Sequence, residues 1–199
     1  MNILTDTLPQ TVDINGTQHK INTDFRAGIK FETMIQKGTA NIYKILTLYY
    51  GENIPKDITA ATKAAELFYC CGKLPKKQAK TETQTKSKQA YCFEADAGAI
   101  LSDFWHTYNI DLTQEGLHWW TFRALLEGLP DDSEFKQRAY YRTCELTGLS
   151  KSEKKRVLKI RSLIEIKPHE GKKMTLEQRN KSMLDYVAAR GKEVAGGEN

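Results

Sequence analysis

The sequence predicts a mainly α-helical protein that begins with a β-hairpin, and three observations support this fold class. Apolar residues recur at helical spacing through most of the 199-residue chain. Apolar and polar residues alternate up to Asn15-Gly16, and a second short segment follows. An Asn-Gly pair readily adopts the type I′ turn of a two-residue hairpin. A multi-helix body of about seven to eight helices should follow the hairpin.

Three helices are predicted in the first part of the chain. Asn22 to Asp24 supply capping oxygens for a helix that ends near Gln36. The apolar stripe from Ile42 to Tyr49 defines the second helix, and Asp57 can cap a third one over Ile58 to Cys71. Because two strands alone are only marginally stable, the hairpin must pack on these helices or join the sheet of a partner.

A lysine-rich insert, residues 73–90, follows the third helix. It consists mostly of Lys, Gln, Thr, Ser and Ala, with six lysines and one glutamate. Its positive excess equals the formal net charge of the whole chain, which is +5. Since the insert contains almost no large apolar residue, it cannot contribute to a core and is predicted to be disordered.

A tryptophan-containing helix from Leu117 to Pro130 should be the centre of the core, because it is apolar on most of its circumference. Arg123 and Glu127 form its narrow polar seam. The apolar stripe of the helix before it begins at Ala97, and Glu94 and Asp96 in the first turn of that helix suit the positive end of the helix dipole. Its apolar stripe consists of Ala97, Ile100, Leu101, Phe104, Trp105 and Tyr108.

The sequence after Pro130 predicts three more helices. Pro130 to Ser133 end the tryptophan helix and cap a helix that runs to about Leu146. Two capping boxes then begin helices of about Lys151 to Ile166 and Leu176 to Arg190.

The predicted organisation is one composite domain, since 40% hydrophobic content in a chain of this size fills one core or two small ones. Residues 1–72 hold the hairpin and three helices, and residues 73–90 are the flexible basic insert. Residues 91–149 form an aromatic-rich helical core, and residues 150–199 form basic C-terminal helices.

Catalytic and metal sites are not indicated by the sequence. The histidines are dispersed, and no glycine-rich phosphate loop or nucleophile elbow occurs. The cysteines lack paired metal-ligand spacing and are expected to be buried or partly buried free thiols: Cys70, Cys71, Cys92 and Cys144. His118 is expected to be a hydrogen-bonded structural residue. We therefore expect a protein without enzymatic activity, cofactor or metal.

No run of residues is long or apolar enough to cross a membrane, and the N-terminus lacks the features of a secretory signal. The expected location is therefore the cytoplasm. In that compartment the cysteines should stay reduced.

Several short motifs occur in a characteristic order along the chain. The first ones are Met1 to Thr5, Leu8-Pro9, Val12 to Gly16, Ile21 to Arg26 and Phe68 to Gly72. After the insert come Ile110-Asp111-Leu112 and the block from Leu117 to Pro130, and the pattern fades after about Tyr141. In these motifs the chain resembles the bacteriophage gene-product-fifteen family, whose gene lies just before the tape-measure gene in tail-assembly clusters.

This resemblance implies a tail assembly chaperone, which is needed to build a long tail and is absent from the mature virion. The implied partners are the phage tape-measure protein and the tail-tube protein. Self-association around an extended client is also implied, and the implied location is the host cell cytoplasm.

Four aromatic residues are candidates for partner binding: Trp105, Tyr108, Trp119 and Trp120. Tryptophan is enriched among interface hot spots, but the same side chains can also simply fill the core. Both roles are compatible if one tryptophan of the helix faces the core while the other lines a groove with Trp105 or Tyr108. Such a groove could accept an apolar helix of another protein.

Two other functions remain open at the level of the sequence. One is a structural tail or connector component, and the other is a nucleic-acid-binding module that uses the basic segment 151–173. Its phosphate contacts would come from Lys154, Lys155, Lys159 and Arg161. A core-facing stripe of Val157, Ile160 and Ile164 in this segment, without interleaved aromatic residues, favours a solvated helix face over nucleic-acid binding.

Overall fold

The structure is a computed structural model that describes residues 2–73 and 88–166, and it confirms the predicted mainly helical fold with an N-terminal hairpin. In these ranges the elements are β1 (Thr11–Ile14), β2 (Thr17–Lys20), α1 (Phe25–Gln36), α2 (Ile42–Tyr50), α3 (Ile58–Tyr69), α4 (Ala97–Tyr108), α5 (Trp119–Glu127), α6 (Glu134–Thr143) and α7 (Lys151–Leu163). Most of the lysine-rich insert and the predicted helix from Leu176 to Arg190 lie outside the described residues. Among the helices described, none has the length and apolar character needed to span a membrane.

The hairpin has the predicted type I′ turn and lies on the helices. Asn15 and Gly16 both have positive φ angles, 53° and 81°, as this turn requires. Ile14 is buried, and β1 packs against α3. The Asn15 side chain donates a hydrogen bond to Asp57 Oδ2 (3.0 Å), while Asp57 Oδ1 accepts from the Ala60 N–H and caps α3. One aspartate therefore fixes the turn and begins the helix below it.

The tryptophan helix α5 begins at Trp119, later than the predicted start at Leu117. The Phe25 N–H donates to Leu117 O (2.9 Å), and the Trp119 N–H donates to Thr23 O (2.7 Å). These bonds pair the segment before α5 with the segment before α1. Because the backbone is extended there, His118 is the N-cap of α5 and not a residue inside the helix.

The last two of the described helices, α6 and α7, begin at the predicted caps. The Ser133 side chain accepts from a backbone N–H of the first turn of α6. Ser150 and Glu153 form the complete capping box of α7. α6 ends at Thr143, before the predicted end at Leu146.

A reciprocal exchange of arginine contacts joins α6 to α7. Arg161 of α7 donates through Nε to Tyr141 O (2.6 Å) and through Nη2 to Cys144 O, both at the end of α6. Arg142 of α6 donates through Nε to Ile164 O (2.7 Å), just beyond the end of α7. Carbonyls at a helix C-terminus lack helical partners and carry partial negative charge. Each helix therefore supplies a cation to the C-terminus of the other.

Candidate partner-binding surface

Trp119 and Trp120 lie inside the core, where only 1% and 9% of their surfaces are exposed. The Trp119 indole donates through Nε1 to Tyr69 O (2.8 Å), and the Trp120 indole donates through Nε1 to Phe68 O (2.8 Å). Both carbonyls belong to the last turn of α3, where acceptors lack the usual helical partners. The two tryptophans therefore fasten α5 to the end of α3.

The space that Trp119 occupies depends on Gly28 in α1. A Cβ atom at Gly28 would lie 2.2 Å from Cε3 of Trp119, which no real contact permits. The Trp119 ring also stacks on Tyr69 and Phe122, with centroid distances of 5.2 and 5.9 Å. Because it is enclosed on several sides, this indole offers a partner no accessible surface.

Trp105 and Tyr108 lie on α4 and differ in their accessibility. Trp105 is 51% exposed, whereas Tyr108 is half-buried. The Tyr108 hydroxyl donates to Leu125 O (2.9 Å) and thereby links α4 to α5. Of the four candidate residues, Trp105 is the one with a largely exposed side chain. The structure does not bring the four together on one surface.

Other large apolar side chains are exposed on the first three helices. They are Ile35, Tyr43 and Leu67. The sequence interpretation does not identify these residues, because it follows the buried stripe of each helix. Tyr43 and Leu67 lie beside buried or half-buried stripe residues, and an apolar residue next to such a stripe is the signal that could have identified them.

His118 is a hydrogen-bonded structural residue, as predicted. Its Nδ1 accepts from the Trp120 N–H (3.1 Å), and its Nε2 lies 3.0 Å from Pro9 O. An imidazole that accepts at one nitrogen and donates at the other is neutral. Burial lowers the pKa of His118, which favours the same neutral form. Because both ring nitrogens of His118 form hydrogen bonds within the protein, neither is available to accept a proton from a substrate.

A hydrogen-bonded polar cluster that the sequence reveals only in part lies beside α5. The predicted polar seam is present as an ion pair, with Arg123 Nη2 3.0 Å from Glu127 Oε1. Arg123 also lies 3.5 Å from the Tyr91 hydroxyl, and the Tyr69 hydroxyl donates to Glu32 Oε2 (2.6 Å). Burial, with a further contribution from Glu32, raises the pKa of Tyr91 to about 12. These groups bind one another and hold together helices that are distant in sequence.

Asp96 is fully buried and forms an ion pair, which differs from its predicted role at the helix dipole. Its two carboxylate oxygens lie 2.6 and 2.8 Å from the Arg142 guanidinium, and Oδ2 also accepts from the Cys92 N–H (3.0 Å). The Asp96 side chain makes no capping hydrogen bond to α4. Arg142 also donates to Ala90 O (3.1 Å), at the end of the lysine-rich insert. α6 thus holds the point at which the chain returns from the insert.

The four cysteines are free thiols and are buried or half-buried, as predicted. Burial raises the pKa of the Cys70 and Cys71 thiols, which lowers their thiolate fraction and their reactivity. Within residues 2–73 and 88–166, no group of three or more potential metal ligands comes together.

The four predicted phosphate-contact residues do not act as one basic surface. Lys154, Lys155 and Lys159 are exposed, but the Arg161 guanidinium is bound to the carbonyls at the end of α6. The core-facing position of Val157, which is buried, agrees with the predicted apolar stripe.

Comparison with known proteins gives one family assignment. A family model described as Bacteriophage Gp15 protein matches residues 4–166, which include the hairpin and all seven helices described above. No curated protein and no solved structure matches the chain.

Proposed function

Because this chain belongs to the bacteriophage Gp15 family, we propose that it is a non-enzymatic tail assembly chaperone. In this role it binds the tape-measure protein, assists assembly of the tail tube and self-associates around its extended client. It acts in the host cell cytoplasm and is absent from the mature virion.

This proposal rests on apolar side chains that are exposed on the helices and are not part of the buried core. Trp105, Ile35 and Leu67 lie on three different helices and are 51%, 53% and 42% exposed. The tryptophans of α5, Trp119 and Trp120, are buried and make only internal contacts. A long helical client exposes apolar stripes before assembly, and these stripes aggregate unless another apolar surface covers them. The accessible apolar groups of this chain are suited to that task.

Co-expression with the tape-measure protein tests the proposal. We expect the tape-measure protein to be soluble with this chain and to aggregate without it, and phage lacking the gene should fail to build full-length tails. Equal solubility in both cases, together with normal tails, would refute a chaperone role.

A point variant locates the client-binding surface. Trp105→Ser should reduce the amount of soluble tape-measure protein while leaving the melting temperature nearly unchanged, because Trp105 is half exposed. Tyr140→Ser is the matched control, since Tyr140 is an exposed aromatic residue on α6 outside the candidate set. If both variants behave like the unaltered protein, α4 is not the surface used.

A structural tail or connector component is the main alternative. Mass spectrometry of purified virions separates the two roles, because a component of the particle is found there in stoichiometric amount and a chaperone is not. The nucleic-acid alternative is weakened by the inward position of Arg161, which leaves three of the four proposed phosphate contacts.

A further inference from the structure

α7 carries a row of positive charges that nothing in the described residues neutralises. Its five exposed cations are Lys151, Lys154, Lys155, Arg156 and Lys159, and none forms an ion pair within residues 2–73 and 88–166. The acidic residue of the helix, Glu153, is committed to its own cap. Its Oε2 accepts from the Ser150 N–H (2.8 Å) and from the Ser150 hydroxyl (2.6 Å).

This arrangement differs from that of an ordinary solvated helix. Exposed helices usually place glutamates one turn away from lysines, and like charges at that spacing repel each other. In α7 Lys151, Lys155 and Lys159 follow one another at intervals of four residues. An acidic partner would relieve this repulsion.

Two leucines are exposed among the cations. Leu158 is 51% exposed and lies one turn from Lys154 and Lys155, and Leu163 is 77% exposed and lies one turn after Lys159. The inner side of the helix is already occupied by Val157, so these leucines are not needed for packing on α6. The outward face therefore combines positive charge with accessible apolar area.

We propose that the outward face of α7 is a docking surface for an acidic amphipathic helix of another protein. Carboxylates of that helix pair with Lys154, Lys155 and Lys159, and its apolar stripe covers Leu158. Exposed leucines contribute nothing to phosphate binding, and α7 has no aromatic residue on which a base could stack, so a protein helix fits this face better than nucleic acid. This surface is separate from the Trp105 region on α4 and does not depend on the proposed chaperone function.

Binding of a fluorescently labelled synthetic heptad peptide, with leucines on one face and glutamates on the other, tests this proposal on the full-length chain. Fluorescence anisotropy should detect binding. The triple variant Lys154→Gln, Lys155→Gln and Lys159→Gln should weaken it by about tenfold or more. Leu158→Ser should weaken it about threefold or more, because apolar contact is lost.

A matched control separates local contacts from net charge. Lys30→Gln, Lys44→Gln and Lys63→Gln remove the same charge from exposed positions on α1, α2 and α3, and should leave binding unchanged. Circular dichroism should show equal helix content in all variants. In the reciprocal experiment, Lys154→Glu, Lys155→Glu and Lys159→Glu should abolish binding of the acidic peptide and create binding of its lysine counterpart.

Three results would overturn the proposal. Equal weakening by the control triple variant would mean that net charge alone attracts the peptide. No effect of Leu158→Ser would mean that the apolar contact is absent. Tighter binding of a DNA duplex, lost in the same α7 triple variant, would assign the face to nucleic acid. None of these results decides the co-expression test with Trp105→Ser, which alters α4 and leaves α7 unchanged.

Discussion

Gly28 shows how a single residue sets the position of the central helix. Gly28→Ala should lower the free energy of unfolding by about 1–3 kcal/mol or more, because the new methyl group overlaps the Trp119 ring. Gly98→Ala in α4 is the control, since a Cβ atom there meets nothing within 4 Å. This variant should raise the free energy of unfolding by roughly 0.5–1 kcal/mol, because alanine is favoured over glycine in a helix. Urea denaturation measures both changes. Equal stability of the two variants would show that α5 can shift away from α1.

Removing the hydroxyl groups of two neighbouring tyrosines, Tyr49 and Tyr50, should change the free energy of unfolding in opposite directions. The Tyr49 hydroxyl is buried and has no hydrogen-bond partner among the described residues, whereas the Tyr50 hydroxyl donates to Ala61 O (2.9 Å). Tyr49→Phe should therefore raise the free energy of unfolding by about 1 kcal/mol, and Tyr50→Phe should lower it by about 1 kcal/mol. Thermal melting of both variants checks the signs. A loss of stability in Tyr49→Phe would reveal an unrecognised partner of that hydroxyl.

At the scale of elements, the ion pair between α4 and α6 should make stability depend on pH. Burial raises the pKa of Asp96, but hydrogen bonds from Arg142 and the Cys92 N–H outweigh burial and hold this pKa below its usual value of 3.8. The contribution of the pair is therefore present above pH 3.8 and is lost as the pH falls through the lower pKa of the folded state. Asp96→Asn should cost about 3–5 kcal/mol at neutral pH, since it leaves Arg142 unpaired.

The difference in unfolding free energy between the unaltered protein and Asp96→Asn should narrow below pH 3.8. Denaturation curves at several pH values measure it. Asp132→Asn, at an exposed position, is the control and should change the free energy of unfolding by less than about 0.5 kcal/mol. A difference for Asp96→Asn that stays constant with pH would mean that its effect is steric.

The arginine hydrogen bonds between α6 and α7 lead to a second prediction about these elements. Arg161→Gln should increase hydrogen exchange at the backbone amides of α7 by about tenfold or more, because charged hydrogen bonds to Tyr141 O and Cys144 O are lost. Arg156→Gln removes the same charge from an exposed position of α7 and should leave exchange unchanged. The amides of α1 to α3 serve as an internal reference. Equal exchange in both variants would show that the packing of Val157 and the bond from Arg142 to Ile164 O hold α7 without Arg161.

Features that depend on nearby residues could be predicted from the sequence, and those that depend on distant residues could not. The caps at Asp57, Ser133 and Ser150 involve atoms at most three residues away, and the pattern identifies them. The ion pair of Asp96 joins residues 46 positions apart, so a helix-by-helix interpretation assigns Asp96 to the dipole of its own helix. The start of α5 is missed for the same reason, since it depends on bonds to the segment before α1.

The candidate site follows the same rule. Neighbouring tryptophans on one helix point in different directions, and the sequence alone leaves open which of them reaches a partner. Both are buried because α1 lies against Trp119 and the end of α3 accepts hydrogen bonds from both indoles, and the contacts to α3 cross the insert. Spacing alone assigns Trp105 to the apolar stripe of α4, so its exposure could not be predicted from the sequence.

At the scale of the whole molecule, the contacts across the insert predict that its two ends need no covalent connection. Phe25 and Arg26 bind carbonyls of residues 112–117, and both tryptophan indoles of α5 bind α3. A protease site placed between residues 73 and 88 should therefore yield, after cleavage, two fragments that elute together in size-exclusion chromatography. The uncut protein with the same site is the control. Separate elution of the fragments would show that the halves depend on the covalent link.

The different environments of the tryptophans also give the molecule two optical signals. The indole of Trp105 is in contact with water, so its emission should lie at longer wavelength and be quenched by acrylamide. The indoles of Trp119 and Trp120 are enclosed and should emit at shorter wavelength, shielded from the quencher until the chain unfolds. Light emitted at the red edge thus reports on whatever comes to cover α4, while light at the blue edge reports on the integrity of the interior.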